Sequence, residues 1–98
     1  MKWSNKMSTK TYPFDVADFL KTDNDIRGFL REMAKTGSTD DFIHALNTAA
    51  RAKGMTKIAK KMGVSRASLY KSLSGETSPG FDTINGVIQA LGCSLEIA

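Results

Sequence analysis

The sequence has very few of the residues that disulfides, metal sites and hydrolytic active sites need. Its 98 residues include one cysteine, Cys93, and one histidine, His44. Neither an internal disulfide nor a zinc site can be built from these two alone. No nucleophile pattern surrounds His44, so we expect no catalytic site, no metal and no cofactor. A single cysteine also predicts a reducing, cytoplasmic compartment.

Long apolar runs are missing as well. No stretch approaches the roughly 18 apolar residues that a membrane span needs. The charged first ten residues are not followed by an apolar stretch, so the sequence predicts no secretory signal. Methionines stand at positions 1 and 7, and translation can begin at either of them. A hydrophobic content of 41% is still enough for one small core.

Acidic residues are absent from one long segment of the chain. Residues 51–71 hold seven basic residues and no acid, whereas residues 13–50 hold four bases and seven acids. The seven cations are Arg51, Lys53, Lys57, Lys60, Lys61, Arg66 and Lys71. A solvated protein surface usually mixes both signs of charge. The segregation therefore predicts a polyanionic partner and favours nucleic acid.

Helical periodicity predicts an all-α bundle of five to six helices. Apolar residues from Ile26 to Ala34 recur at i, i+3, i+4, i+7 and i+8, the spacing of one helical stripe. Capping residues are expected at the helix starts and glycines at the ends. The predicted caps are Asp15, Thr22, Ser38, Thr56 and Ser65, and the terminating glycines are Gly37, Gly54, Gly63 and Gly92.

The C-terminal part is predicted to form a helix followed by a short strand. The helix places its apolar residues on one face: Phe81, Ile84, Val87, Ile88 and Leu91. Gly86 within it costs about 1 kcal/mol relative to alanine. Residues 93–98 alternate apolar and polar side chains, which predicts a strand. Because a lone strand is unstable, we expect this helix and strand to form a dimer surface.

Residues 55–75 have the features of a helix-turn-helix. Ala59 is small where the second helix would cross the first, and Gly63 can adopt the positive φ of the turn. The apolar positions expected to hold both helices on the bundle are Ile58, Met62, Val64, Leu69 and Leu73. Together these features predict a DNA-reading unit.

This segment resembles the lambda-repressor/Cro-like (XRE) helix-turn-helix family. Three runs are also similar to the probable addiction module antidote proteins: Tyr-Pro-Phe-Asp-Val-Ala-Asp-Phe-Leu at 12–20, Ala-Arg-Ala-Lys-Gly-Met-Thr-Lys-Ile-Ala at 50–59 and Leu-Tyr-Lys-Ser-Leu-Ser at 69–74. The resemblance covers residues 12–98. It implies a lambda-repressor-like fold and an antitoxin of a type II toxin–antitoxin module. Such a protein represses its own operon and neutralises a small basic RelE/ParE-like toxin. Ser68 departs from the acidic residue that related sequences often place there.

On DNA, we expect the second helix, residues 66–73, to lie in the major groove. Arg66 is the best candidate to read a guanine, because its guanidinium matches the O6 and N7 acceptors. Lys57 is expected on a phosphate at a helix N-terminus. The predicted DNA-binding residues are Lys57, Ser65, Arg66, Ala67, Ser68, Tyr70 and Lys71, with Lys60 and Lys61 as weaker phosphate candidates. The alternatives are a surface ion pair for Arg66 and a core position for Tyr70.

Three segments follow from these predictions. Residues 1–11 form a flexible arm, residues 12–37 a helical extension, and residues 38–98 the helix-turn-helix domain with its dimerisation strand. The expected partners are double-stranded operator DNA of pseudo-palindromic sequence, a second copy of the chain, and a toxin. The acids of residues 13–41 either face a basic toxin or serve as helix caps. A stand-alone, phage-like repressor is the alternative function, because it would use the same DNA-reading helix.

Overall fold

A computed structural model describes residues 15–75 and 78–96, and all regular secondary structure within these ranges is helical. A short 3-10 helix at Val16–Phe19 precedes five α-helices: α1 (Asp23–Thr36), α2 (Thr39–Lys53), α3 (Met55–Met62), α4 (Arg66–Ser72) and α5 (Phe81–Ala90). The predicted all-α bundle is confirmed for this part of the chain. The arm predicted at residues 1–11 lies outside the described residues.

Side-chain caps determine where several helices begin. At the start of α1, Thr22 Oγ1 accepts a hydrogen bond from Asp25 N, while Asp25 Oδ2 accepts one from Thr22 N, both at 3.1 Å. Ser38 and Asp41 form the same reciprocal pair at the start of α2. Ser65 Oγ accepts from Ser68 N at 3.0 Å and begins α4. These predicted caps are confirmed, and each typically contributes about 1 kcal/mol.

The start of α3 differs from its prediction. Thr56 is not the cap: α3 begins at Met55, and its N-cap residue, Gly54, makes no side-chain hydrogen bond. Gly54 has φ 114°, a conformation that glycine adopts far more readily than other residues. The chain therefore passes from α2 into α3 through this single residue, and Met55 is brought into the core at 6% exposure.

Helix α2 lies at the centre of the bundle. The 3-10 helix, α1, α3 and α5 all pack against it. Its Leu46, Ala49 and Ala50 are completely inaccessible to solvent. The same core takes in residues from α3 to the end of α5, which confirms most of the predicted apolar positions: Ile58, Leu69, Leu73, Val87, Ile88 and Leu91. Helices α3 and α4 are thereby packed on the same hydrophobic core.

Two of the apolar residues named in the sequence analysis are on the surface. Phe81 is 68% exposed and Val64 is 40% exposed. Phe81 is the first residue of α5, and helical side chains lean toward the N-terminus, so its ring projects beyond the packed part of that helix. Val64 was expected to hold the helix pair on the bundle, and that prediction is wrong, because Val64 lies in the turn after α3 and lines an open groove beside α5.

The predicted C-terminal strand is also wrong for the residues that the structure describes. Residues 93–96 have no regular secondary structure, and residues 97–98 lie outside the description. The amide of Cys93 donates to Ile88 O at 3.0 Å, which holds the chain against the end of α5. A strand needs a neighbouring strand for its backbone groups, and the described ranges of this single chain contain none.

Gly86 lies where α5 approaches α3. A Cβ atom at this position would lie 3.1 Å from Met62 Cε, closer than ordinary van der Waals contact. The glycine therefore lets the Met62 side chain pack tightly against α5. This contact gives a structural reason for a residue that is otherwise unfavourable in a helix.

Candidate nucleic-acid interface

Helices α3 and α4 pack against each other and are joined by a tight turn at residues 63–65. Gly63 has φ 74°, the left-handed conformation expected of it. Its amide donates to Lys60 O at 3.1 Å, and the amide of Val64 donates to Ala59 O at 3.0 Å. Ala59 itself is 2% exposed. Ala59 is thus buried and Gly63 forms the turn before α4, while the assignment of these two helices to a helix-turn-helix stays a prediction.

Helix α4 has one buried side and one open side. Leu69 is buried, and the side chains on the opposite surface are exposed. Arg66 and Tyr70 lie one helical turn apart, as do Ala67 and Lys71, and all four are exposed. The alternative that Tyr70 closes the core is wrong, because its side chain is on the surface at 59% exposure.

The two serines near the start of α4 support its backbone and remain exposed. Ser65 caps the helix through its hydroxyl oxygen. Ser68 supplies the amide for that cap, and its carbonyl accepts from Ser72 Oγ at 3.0 Å. Since the Ser65 hydroxyl acts as an acceptor in the cap, its proton can be donated to an outside oxygen. A phosphate oxygen is an acceptor of this kind.

Two of the seven cations in residues 51–71 pair with acids from the N-terminal elements. Arg51 Nη1 lies 2.7 Å from Asp15 Oδ2, and Arg51 Nη2 lies 3.4 Å from Asp15 Oδ1. Lys53 Nζ lies 2.5 Å from Asp23 Oδ1. The hydrogen bond from Arg51 lowers the pKa of Asp15, and the one from Lys53 lowers the pKa of Asp23. Neither pair was predicted from the sequence. Residues 51–71 contain no acid, but in the folded protein Asp15 and Asp23 lie beside this segment.

The remaining five cations differ in their contacts with the rest of the protein. Lys61 Nζ donates to Ala90 O of α5 at 3.5 Å, so Lys61 is directed toward that helix. The other four are exposed and make no ion pair with any described residue: Lys57, Lys60, Arg66 and Lys71. The alternative was that Arg66 forms a surface ion pair. No such pair is present within residues 15–75 and 78–96.

Lys57 stands near the N-terminus of α3. It lies in the first turn of α3, which begins without a side-chain cap. The first amide groups of a helix have no partner within the helix and carry partial positive charge. An exposed lysine beside them adds a full charge, so this end of α3 is suited to bind a phosphate.

The acids of residues 13–50 are mostly occupied within the protein. Asp15 and Asp23 hold the two ion pairs, while Asp25 and Asp41 complete the capping boxes of α1 and α2. The exposed face of α1 instead carries basic residues at four-residue spacing: Arg27, Arg31 and Lys35. Helix capping is thus confirmed for Asp25 and Asp41. The toxin-facing surface stays a prediction, and Asp18, Glu32 and Asp40 are exposed.

Metal-binding groups and membrane-spanning helices are not present among the described residues. No group of three or more His, Cys, Asp or Glu side chains is placed there to hold a metal ion. None of the described helices combines the length and apolar character needed to cross a membrane.

Comparison with known proteins gives a family match over most of the chain. The family model described as probable addiction module antidote protein matches residues 10–98. An uncharacterized protein of Haemophilus influenzae strain Rd is 35% identical over 91 residues, which cover 93% of this chain and 94% of that protein. No solved structure matches the chain.

Proposed function

Because the chain belongs to the family of probable addiction module antidote proteins, we propose that it is the DNA-binding antitoxin of a type II toxin–antitoxin module. In this role it binds its operator through α3 and α4, represses its own operon and neutralises a small RelE/ParE-like toxin. It acts in the cytoplasm as a binding protein rather than as an enzyme.

The observation that carries the DNA-binding part is the set of four exposed cations that form no ion pair with a described residue. Lys57 and Lys60 lie on α3, Arg66 and Lys71 lie on α4, and all are exposed on two helices that pack together. Positive charge concentrated in this way attracts the phosphate backbone. Helix α4 then enters the major groove, with Arg66 in its first turn facing base edges. The short side chains of Ser65, Ala67 and Ser68 allow close approach, and Tyr70 and Lys71 extend the contact by one turn.

Replacement of Lys57 by alanine is expected to weaken binding to all DNA sequences alike. The slope of log K against log salt should fall by about one unit, because one phosphate contact is lost. Fluorescence anisotropy on an operator duplex and an unrelated duplex between 50 and 200 mM salt measures both effects. Lys35→Ala is the matched control, since Lys35 is an exposed lysine in the last turn of α1. A loss confined to the operator would contradict a phosphate role for Lys57.

We further propose that the protein binds a pseudo-palindromic operator as a homodimer. Two exposed apolar side chains, Phe81 at the start of α5 and Leu95 beyond its end, support a dimer surface in this region. Light scattering of a chain that lacks residues 93–98 is expected to show a monomer. A dimer that survives the deletion would place the interface elsewhere.

A growth assay tests the antitoxin role directly. The open reading frame adjacent to this gene is induced alone and then together with this protein. Arrest that co-expression relieves supports the antitoxin. The Arg66→Ala variant serves as an internal control, because neutralisation by protein contact does not need the DNA-reading side chain. If the neighbour is expressed and causes no arrest, the alternative of a stand-alone repressor with the same DNA surface takes its place.

A further inference from the structure

The two ion pairs to the N-terminal elements lie at the edge of the proposed DNA surface. Arg51 is in the last turn of α2, and Lys53 is the last residue of that helix. We propose that Asp15 and Asp23 limit the general electrostatic attraction of the protein to DNA, because by holding Arg51 and Lys53 they withdraw two cations from DNA phosphates. This inference rests on the proposed DNA binding and adds the means by which non-specific binding is limited.

Asp15 is held firmly in its position. Its Oδ1 accepts a hydrogen bond from Ala17 N at 3.1 Å, which caps the 3-10 helix. The same carboxylate engages Arg51 through both oxygens. The 3-10 helix itself packs on α2, and Leu20 after it packs against the core. The carboxylate is thus presented to Arg51 by a fixed backbone.

Arg51 lies in the last turn of α2, and Gly54 then leads directly into α3. The hydrogen bond from Arg51 to Asp15 is the main cause that raises the pKa of Arg51. A phosphate bound at the start of α3 would therefore lie near the end of α2, where the Asp15 carboxylate already occupies the Arg51 guanidinium.

Lys53 has a corresponding position beside α3. Gly54 separates it from the first residue of α3, and the Lys57 side chain lies next to that glycine, since a Cβ on Gly54 would be 3.7 Å from Lys57 Cβ. Asp23 is the first residue of α1 and binds the Lys53 ammonium across the gap between the two helices. Without Asp23, Lys53 would add its charge to the same N-terminus of α3 as Lys57.

The consequence for binding follows from how charge acts on DNA. Exposed ion pairs add little to protein stability. A contribution to the free energy of folding is therefore a weak explanation for the presence of these two pairs. Phosphate contacts strengthen binding to every sequence, whereas only contacts to bases distinguish one sequence from another. Each further phosphate contact steepens the salt slope by about 0.9. Two paired cations therefore leave a weaker attraction to DNA of every sequence, while the ratio of operator to non-specific affinity is still set by the base contacts.

The test compares Asp15→Asn, Asp23→Asn and the double variant with Glu32→Gln. Asparagine keeps the cap at position 15, since its side-chain oxygen can still accept from Ala17 N. The control for the change in net charge is Glu32→Gln, because Glu32 is exposed on α1 and forms no ion pair with a described residue. Affinities for the operator and for an unrelated duplex of equal length are measured from 50 to 200 mM salt.

We expect the double variant to bind both duplexes more tightly, with the ratio of the two affinities unchanged. Each released cation should increase the weakening between 50 and 200 mM salt by roughly 3.5-fold per protomer. Glu32→Gln should leave the salt slope as in the unmodified protein. Equal slopes for the double variant and the unmodified protein, with operator binding intact, would overturn this inference alone. No binding of the operator by the unmodified protein would instead overturn the proposed function.

A second variant keeps the inference testable if the acidic substitutions unfold the protein. Arg51→Gln with Lys53→Gln removes the two cations directly. If they are already withheld from phosphates, the salt slope and the ratio of operator to non-specific affinity should both stay unchanged. A shallower slope in this variant would show that Arg51 or Lys53 contacts DNA in the native protein, and the inference would then be wrong.

Discussion

Truncation of Leu46 to alanine is expected to lower the free energy of unfolding by about 2–5 kcal/mol. Leu46 is inaccessible to solvent and lies on α2, against which the 3-10 helix, α1, α3 and α5 all pack. The cavity left by the missing atoms cannot be filled by any one neighbour without disturbing another. Urea denaturation followed by circular dichroism, at one fixed protein concentration, measures the change.

Val16→Ala is the control for Leu46. Val16 is an apolar residue of the 3-10 helix that is 36% exposed, and substitutions on the surface usually change stability by less than about 0.5 kcal/mol. Equal destabilisation by the two variants would show that the core extends to Val16 and that α2 is not its centre. The stability of a small domain is about 5–15 kcal/mol, so only the Leu46 variant should threaten folding.

Replacement of Arg66 by alanine is expected to weaken operator binding by about 1–3 kcal/mol and to relax specificity at one base pair. Arg66 is the first residue of α4, is exposed and makes no ion pair with a described residue. Its guanidinium is therefore available to a guanine without first losing a partner. Binding is measured on the operator and on a set of duplexes that each change one base pair.

Arg31→Ala is the control for Arg66. Arg31 is an exposed arginine on α1, so its loss alters net charge equally but removes no side chain from α3 or α4. We expect its operator affinity and specificity to match those of the unmodified protein. If both variants lose operator affinity equally, with specificity intact, α4 does not read the bases and the proposed recognition surface is wrong.

Local features of the fold could be predicted from the sequence because their causes lie within a few residues. The capping pairs Thr22–Asp25 and Ser38–Asp41 each join residues three positions apart. Gly63 turns the chain at the place where α3 ends. A helix start or a tight turn depends on such short-range hydrogen bonds and on backbone freedom. The DNA-binding candidates on α4 were accordingly placed on an exposed helix from the sequence alone, although their contacts with DNA stay predictions.

Features that depend on how the helices pack could not be predicted in this way. Thr56 has the chemistry of a helix cap, yet α3 begins at Met55 because the Gly54 turn brings that side chain into the core. The apolar character of Phe81 and Val64 suggested burial, but a residue is buried only where another element covers it. Residues 93–98 have the alternation of a strand, and residues 93–96 form none because no neighbouring strand lies among the described residues.

The sequence by itself determined the helices, most of the core and the excess of positive charge around α3 and α4. Only the tertiary structure decided which of those charges are available. Asp15 and Arg51 are 36 residues apart in the chain, and Asp23 and Lys53 are 30 apart. Such pairs form because the 3-10 helix and α1 pack on α2, and charge attraction depends on distance in space rather than on separation along the chain.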